Sequence, residues 1–169
     1  TYDLLIIKTL KNYSFFTIDM LYLLPLIVFS GLLIGLLIRH FCKEEIKPGK
    51  KYIKITELII ILLISILLFY LNFTNTYLTY IAIILGILSS FVLKEKYFYF
   101  SLALLTLNFY IASLIFIFGI VSGSKKIVRK IFLFFPPLLL LLTALELSYF
   151  TIFAASSLLT LFFIKSQSL

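Results

Sequence analysis

Long apolar runs recur along this chain, and only short polar or basic segments interrupt them. A run of about 20 apolar residues matches the roughly 30 Å of hydrocarbon in a bilayer. In that solvent every backbone N–H and C=O must find a partner within the protein, which leaves helices or closed barrels. The runs here are of helix length. They lie at about Met20–Ile38, Glu57–Leu71, Tyr77–Leu93, Phe98–Val121 and 131–164. Hydrophobic residues fill 63% of the 169 positions, against about 45–50% in ordinary soluble domains. The expected fold is therefore all-α: a polytopic membrane helix bundle with five transmembrane helices, or six if the last run turns near Ser148. Residues 1–19 form an interfacial N-terminal segment, 20–164 the transmembrane helical domain and 165–169 a polar C-terminal tail.

The connections carry the charge. Arg39, Lys43, Lys47, Lys50, Lys51 and Lys54 make a basic loop over 39–54, with Pro48-Gly49 as its turn signal. Asn72 to Thr76 is a short polar link, Lys94-Glu95-Lys96 closes the third run, and Lys125, Lys126, Arg129 and Lys130 follow the fourth. The net charge is +8. Basic residues at the ends of spans face lipid headgroups and set orientation, so the partners implied are phospholipids, with no nucleic acid. The 39–54 loop holds the densest cluster and is expected on the cytoplasmic or matrix side. With one span over 98–121, that side carries eight Lys/Arg and the opposite side six. The last run is too long for one straight helix and short for two. One tilted span centred near Thr143–Ala155, behind an interfacial piece ending at Pro136-Pro137, fits the proline positions. The alternative is a pair of short helices. The sequence begins at Thr1 with no apparent cleavable signal peptide.

Glu146 is the only charged side chain between Ile131 and Ile164. An ionised carboxylate in hydrocarbon costs several kcal/mol, so a submerged one needs a partner, a proton or water, and marks an ion or proton path. The competing reading is a glutamate at a helix end that reaches headgroups. Asn108 and Ser113 fall in the middle of the fourth run and are candidate intramembrane polar contacts to a neighbouring helix. Ser89, Ser90, Ser156 and Ser157 are expected to bond back to helix carbonyls. Gly31 and Gly35 share one helix face at GxxxG spacing, a helix-packing device. Glu57 suits a helix N-terminus, Pro25 a kink, and Tyr97-Phe-Tyr-Phe100 an interfacial aromatic belt. Cys42 and His40 are each single of their kind, so neither a disulfide nor a zinc site is expected. There is no P-loop, GxGxxG, HExxH or CxxC motif. No cofactor, no metal and no stand-alone enzyme activity are implied.

Two motifs carry a family resemblance. Leu23-Leu-Pro-Leu-Ile-Val28, followed by an apolar helix and a basic loop, resembles the opening of the antiporter-like membrane subunits of respiratory complex I, NADH dehydrogenase subunit 2 in particular. Leu142-Thr-Ala-Leu-Glu146-Leu, with Phe150 and Ala154-Ala155-Ser156 after it, is similar to that family's fifth helix, which carries an essential glutamate. The resemblance implies a non-redox membrane-arm subunit of a proton-pumping NADH:ubiquinone oxidoreductase, the N-terminal part of a split or truncated subunit, in the mitochondrial inner membrane. Glu146 would lie on the proton path. The family pairs its glutamate with a buried lysine, which here would come from another chain of a large hetero-oligomeric complex. Two other readings use the same residues: a small oligomeric ion or solute transporter or channel subunit, built around Glu146 and Asn108, and a membrane scaffold without transport.

Overall fold

The computed structural model describes residues 23–106, 108–123, 134, 136 and 147–167. All regular structure among them is helical. The elements are α1 (Leu23–Phe41), α2 (Lys43–Asn72), α3 (Tyr77–Val92), α4 (Lys96–Ala103), a 3₁₀ turn (Leu104–Thr106), α5 (Phe109–Ser122) and α6 (Leu147–Ser166). Three segments, Leu23–Phe41, Pro48–Asn72 and Ser148–Ser166, are long and apolar enough to cross a membrane. The last helix packs on α2, α3, α4 and the 3₁₀ turn, and α2 also packs on α5.

Two expected connections turn out otherwise. The basic stretch 39–54 is helical except at Cys42, and Pro48-Gly49 lies inside α2. A proline in the second turn removes only the bond to the carbonyl of residue 44 and has one turn before it to clash with, so the helix continues through it. Glu57 consequently sits in the middle of α2, away from a helix start.

The single helix expected over Phe98–Val121 is instead broken in two. At 1.5 Å per residue, α4 is about 12 Å long and α5 about 21 Å. They fold back on each other. The Phe100 and Phe118 rings lie 4.6 Å apart and those of Tyr97 and Phe118 6.0 Å, while the Tyr97 hydroxyl meets Ser122 Oγ at 2.5 Å. Such tilted aromatic pairs add about 0.5–1.5 kcal/mol each beyond the area they bury. The start of α4 and the end of α5 thus share one end of the bundle. At the tip the broken backbone finds local partners. Thr106 Oγ1 donates to the Ala103 carbonyl at 3.0 Å and accepts from the Asn108 N–H at 3.3 Å. Asn108 Oδ1 accepts from the N–H groups of Tyr110 (2.9 Å) and Ile111 (3.4 Å), an N-cap. The facing sides of the hairpin are buried, with no accessible surface at Tyr99, Phe100, Ala103, Ile111 and Phe118, while Phe109 and Tyr110 at its tip are 73% exposed.

Small residues draw the helices together along two seams. On α3, Ala82, Gly86 and Ser90 recur every four residues and are buried. Gly86 faces Phe153, Ser156 and Ser157 of α6. A Cβ on Gly86 would collide with Ser156 Oγ and lie 2.5 Å from the Phe153 carbonyl oxygen. The second seam joins α1 to α5, which run in the same direction. Gly31 faces Phe116 and Gly35 faces Gly119 and Ile120, while Gly119 and Gly123 face back onto Gly31, Leu32 and Gly35. Two GxxxG pairs therefore interlock, and only the first was singled out from sequence. Gly123 also takes a positive φ of 29°, closing α5 with its N–H on the Gly119 carbonyl at 3.2 Å. Phe134 packs its ring 5.8 Å from that of Phe29.

These contacts make opposite predictions for two helical glycines. Gly86→Ala overpacks the α3–α6 seam and should destabilise by about 1–3 kcal/mol. Gly49 has open space around it, so Gly49→Ala should stabilise by roughly 0.5–1 kcal/mol through helix propensity. Reversible unfolding of the purified chain in mixed detergent micelles, followed by circular dichroism, measures both.

Candidate functional site: a charged cavity at one end of the bundle

Five sequence segments bring charge to one place. Glu57 comes from α2, Lys94 and Glu95 from the α3–α4 link, Lys96 and Tyr97 from the start of α4, Phe118 and Ser122 from α5, and Lys165 from the end of α6. They line a cavity of about 190 Å³. At ~30 Å³ per water, that is room for about six waters. Lys96 Nζ donates to Glu57 Oε2 at 2.6 Å, with the two side chains 13% and 21% exposed. The same ammonium lies 4.8 Å from the Phe118 ring centroid, on the face where the ring quadrupole attracts a cation. Burial pushes the Tyr97 phenol above its ordinary range; the Ser122 hydrogen bond pulls the other way, and the Glu57 and Glu95 carboxylates add to the rise. Tyr97 therefore stays protonated across the physiological range.

Beside the cavity, Arg39 Nη1 donates to the carbonyls of Gly123 (2.8 Å) and Ser122 (3.3 Å). A cation there complements the negative end of α5 and satisfies carbonyls that the helix leaves open. The lining holds three ammonium groups and two carboxylates, a net charge of +1. It holds no thiol, and no histidine to activate its hydroxyls. Its chemistry is that of charge recognition.

A second polar cluster lies further in, between α3, α4 and α6. Ser157 Oγ donates to the Gly86 carbonyl at 2.9 Å and lies 3.3 Å from Ser89 Oγ. The Tyr99 hydroxyl donates to the Leu93 carbonyl at 3.0 Å and sits 3.2 Å from Ser89 Oγ. The serines also bond back along their helices as expected: Ser89 to Gly86, Ser90 to Ile87, Ser156 and Ser157 to Phe153. Among the described residues, Ser101 Oγ is the one buried side-chain polar atom without a hydrogen bond.

The residues singled out from sequence are distributed as follows. Glu146 lies outside the described residues; α6 is described from Leu147 onward. Asn108 is the N-cap of α5 rather than an amide bonded to a neighbouring helix, because the helix breaks just before it. Ser113 Oγ donates within its own helix, to the Phe109 carbonyl at 2.9 Å. Gly31 and Gly35 do pack a helix against them. Tyr97, Tyr99 and Phe100 are buried rather than forming an interfacial belt, since the hairpin turns them inward. Tyr77 and Tyr80 are exposed. Among the described residues no three His, Cys, Asp or Glu side chains group as metal ligands. In sequence Lys96 and Lys165 each read alone as a charge ending a span. A hint was available in Glu57, a carboxylate fifteen residues from the end of an apolar helix.

No protein-family model, curated protein or solved structure matches this chain.

The Glu57–Lys96 pair is partly shielded from water, so each charge depends on the other. A double-mutant cycle with Glu57→Gln and Lys96→Met should return a coupling of roughly 1–3 kcal/mol in unfolding free energy. A value near zero would place the pair with solvent-screened surface ion pairs.

Proposed function

We propose that this chain is an integral membrane subunit of an ion-translocating assembly, with α1, α2, α3 and α6 as crossings and α4–α5 as a re-entrant hairpin. The observation that carries the reading is the α4–α5 hairpin. Non-helical backbone at membrane depth is tolerated only inside protein or beside a water-filled cavity, and broken helices of this kind line transport pathways. A scaffold that only packs helices has no use for such a break. The setting is apolar: α1, α2 and α3 expose Leu26, Leu37, Ile66, Tyr70, Ile84 and Leu88 among many others. Apolar patches on soluble monomers seldom exceed a few hundred Å². At 20 residues α6 is about 30 Å long, the thickness of a hydrocarbon core.

In this arrangement α1, α3, α5 and α6 end at the charged cavity, and α2 descends from it. α5 ends at that side of the bundle and α6 begins at the other. The charge balance supports the arrangement. With Lys165 counted, a single span over 98–121 divides the fifteen Lys and Arg residues nine to six. The hairpin leaves thirteen of the fifteen in segments at or leaving the cavity end, and only Lys8 and Lys11 before α1. That asymmetry puts the cavity end in the cytoplasm or matrix.

The narrower reading is a membrane-arm subunit of a proton-pumping NADH:ubiquinone oxidoreductase. Its support is the pair of sequence motifs at Leu23–Val28 and around Glu146. In it Glu146 is the carboxylate of a proton path, and a partner chain supplies the buried lysine, because Lys96 already serves Glu57.

Two experiments test this. With Cys42→Ser as background, single cysteines at Lys50, Asn75 and Lys126 are labelled by a membrane-impermeant maleimide in sealed vesicles. Lys50→Cys and Lys126→Cys should react from the same side and Asn75→Cys from the other. Labelling of Lys126→Cys with Asn75→Cys would mean that 98–121 crosses, and would end the hairpin reading. The assembly that co-purifies after gentle detergent extraction is then reconstituted. Glu146→Gln should cut its ion flux about tenfold or more, whereas undiminished flux would leave an anchoring role.

A further inference from the structure

We infer that the cavity lined by Glu57, Lys94, Lys96, Tyr97, Ser122 and Lys165 binds a phosphodiester monoanion, the headgroup of an anionic phospholipid. This does not depend on a translocating role. The argument starts from charge. Three ammonium groups and two carboxylates leave a net charge of +1, which one phosphodiester neutralises and a second would over-fill. Size comes next. A volume of about 190 Å³ is below the ~300–1,000 Å³ of sites for whole organic ligands and suits one headgroup fragment. The donors are ammonium groups. Lys96 is fixed by Glu57 at 2.6 Å and by the Phe118 ring, and Lys94 and Lys165 line the same cavity from two other segments. The Tyr97 and Ser122 hydroxyls bond each other and Ser122 donates to the Gly119 carbonyl at 3.4 Å, which leaves the ammonium groups to recognise the anion.

The surroundings favour a lipid over a free phosphate. Val92, two residues before Lys94, is 81% exposed, and Phe163, two before Lys165, is 57% exposed. Apolar surface suited to acyl chains thus adjoins the cationic lining through two of its elements. Basic pockets between helices at the cytoplasmic or matrix face recognise lipid headgroups in this way. The four helices that meet in the cavity would then be bridged by one bound lipid.

The test uses the full chain in a mild detergent, with native mass spectrometry as readout. The probes are phosphatidylglycerol, phosphatidylcholine with the same acyl chains, and inorganic phosphate. Phosphatidylglycerol should be retained as a single adduct with about tenfold or greater preference over phosphatidylcholine. Lys94→Gln combined with Lys165→Gln makes the cavity net negative and should abolish that preference. Lys50→Gln with Lys51→Gln removes the same charge elsewhere on the basic side and should leave it intact, as should Lys165→Arg. Circular dichroism confirms that each variant is folded. Equal retention of the two lipids overturns the proposal, as does equal loss in the Lys50/Lys51 variant, which would mean diffuse surface charge. Displacement of the lipid by inorganic phosphate at matching concentration would reassign the site to free phosphate and overturn the lipid assignment.

Discussion

A helix that stops within an apolar run frees N–H and C=O groups, and each one left buried and unsatisfied costs several kcal/mol. The break between α4 and α5 is stabilised by four side-chain bonds within a few residues, which satisfy several of those groups. Thr106 takes the end of the first helix, Asn108 takes the start of the second, and Thr106 also receives the Asn108 N–H. The rest of the architecture is arranged around the hairpin. The last helix and α2 pack against it, and α1 lies along its outer arm through interlocked glycines.

Glycine contact and hydroxyl bonding answer the same difficulty from two directions. Apolar helices in an apolar solvent gain little from burying leucine, so association rests on close van der Waals approach and on interhelical hydrogen bonds. The α1–α5 seam uses the first, with backbone against backbone at Gly31, Gly35, Gly119 and Gly123. The α3–α6 seam uses both. Gly86 lets α6 approach closely enough that Ser157 reaches its carbonyl. A side chain at position 86 would therefore remove the space and the bond together.

Helix content and the three long apolar helices were legible in the sequence, because a bilayer-length run of Leu, Ile and Phe has few alternatives. The hairpin was not. Phe98 to Val121 is uniformly apolar, and hydropathy reports composition without direction. The information lay in Thr106 and Asn108, a capping pair ahead of an apolar run, where Asn108 read alone is a mid-span amide. Pro48-Gly49 misled in the opposite sense: a strong turn signal that a helix absorbs when it comes one turn after the start. Ser89, Ser90, Ser156 and Ser157 bond back along their helices as their sequence positions suggest, whereas Ser101 of α4 makes no such bond. The Glu57–Lys96 pair was out of reach, because its members are 39 residues apart and only the fold-back of α4 brings them together.

The charged cavity and the hairpin share their residues, and this has a mechanical consequence. Three clamps hold the open end of the hairpin. Lys96 ties α4 to α2 through Glu57, Tyr97 ties α4 to α5 through Ser122, and Arg39 ties α5 to α1 through Gly123. Two of the three use groups that line the cavity. An anion that draws Lys96 toward itself must weaken its bond to Glu57, and so acts on the joint between the hairpin and α2. The tip, in contrast, is held by bonds that belong to the hairpin alone. Any charge entering at the cavity therefore bears on how the base of the hairpin sits in the bundle and leaves its fold intact.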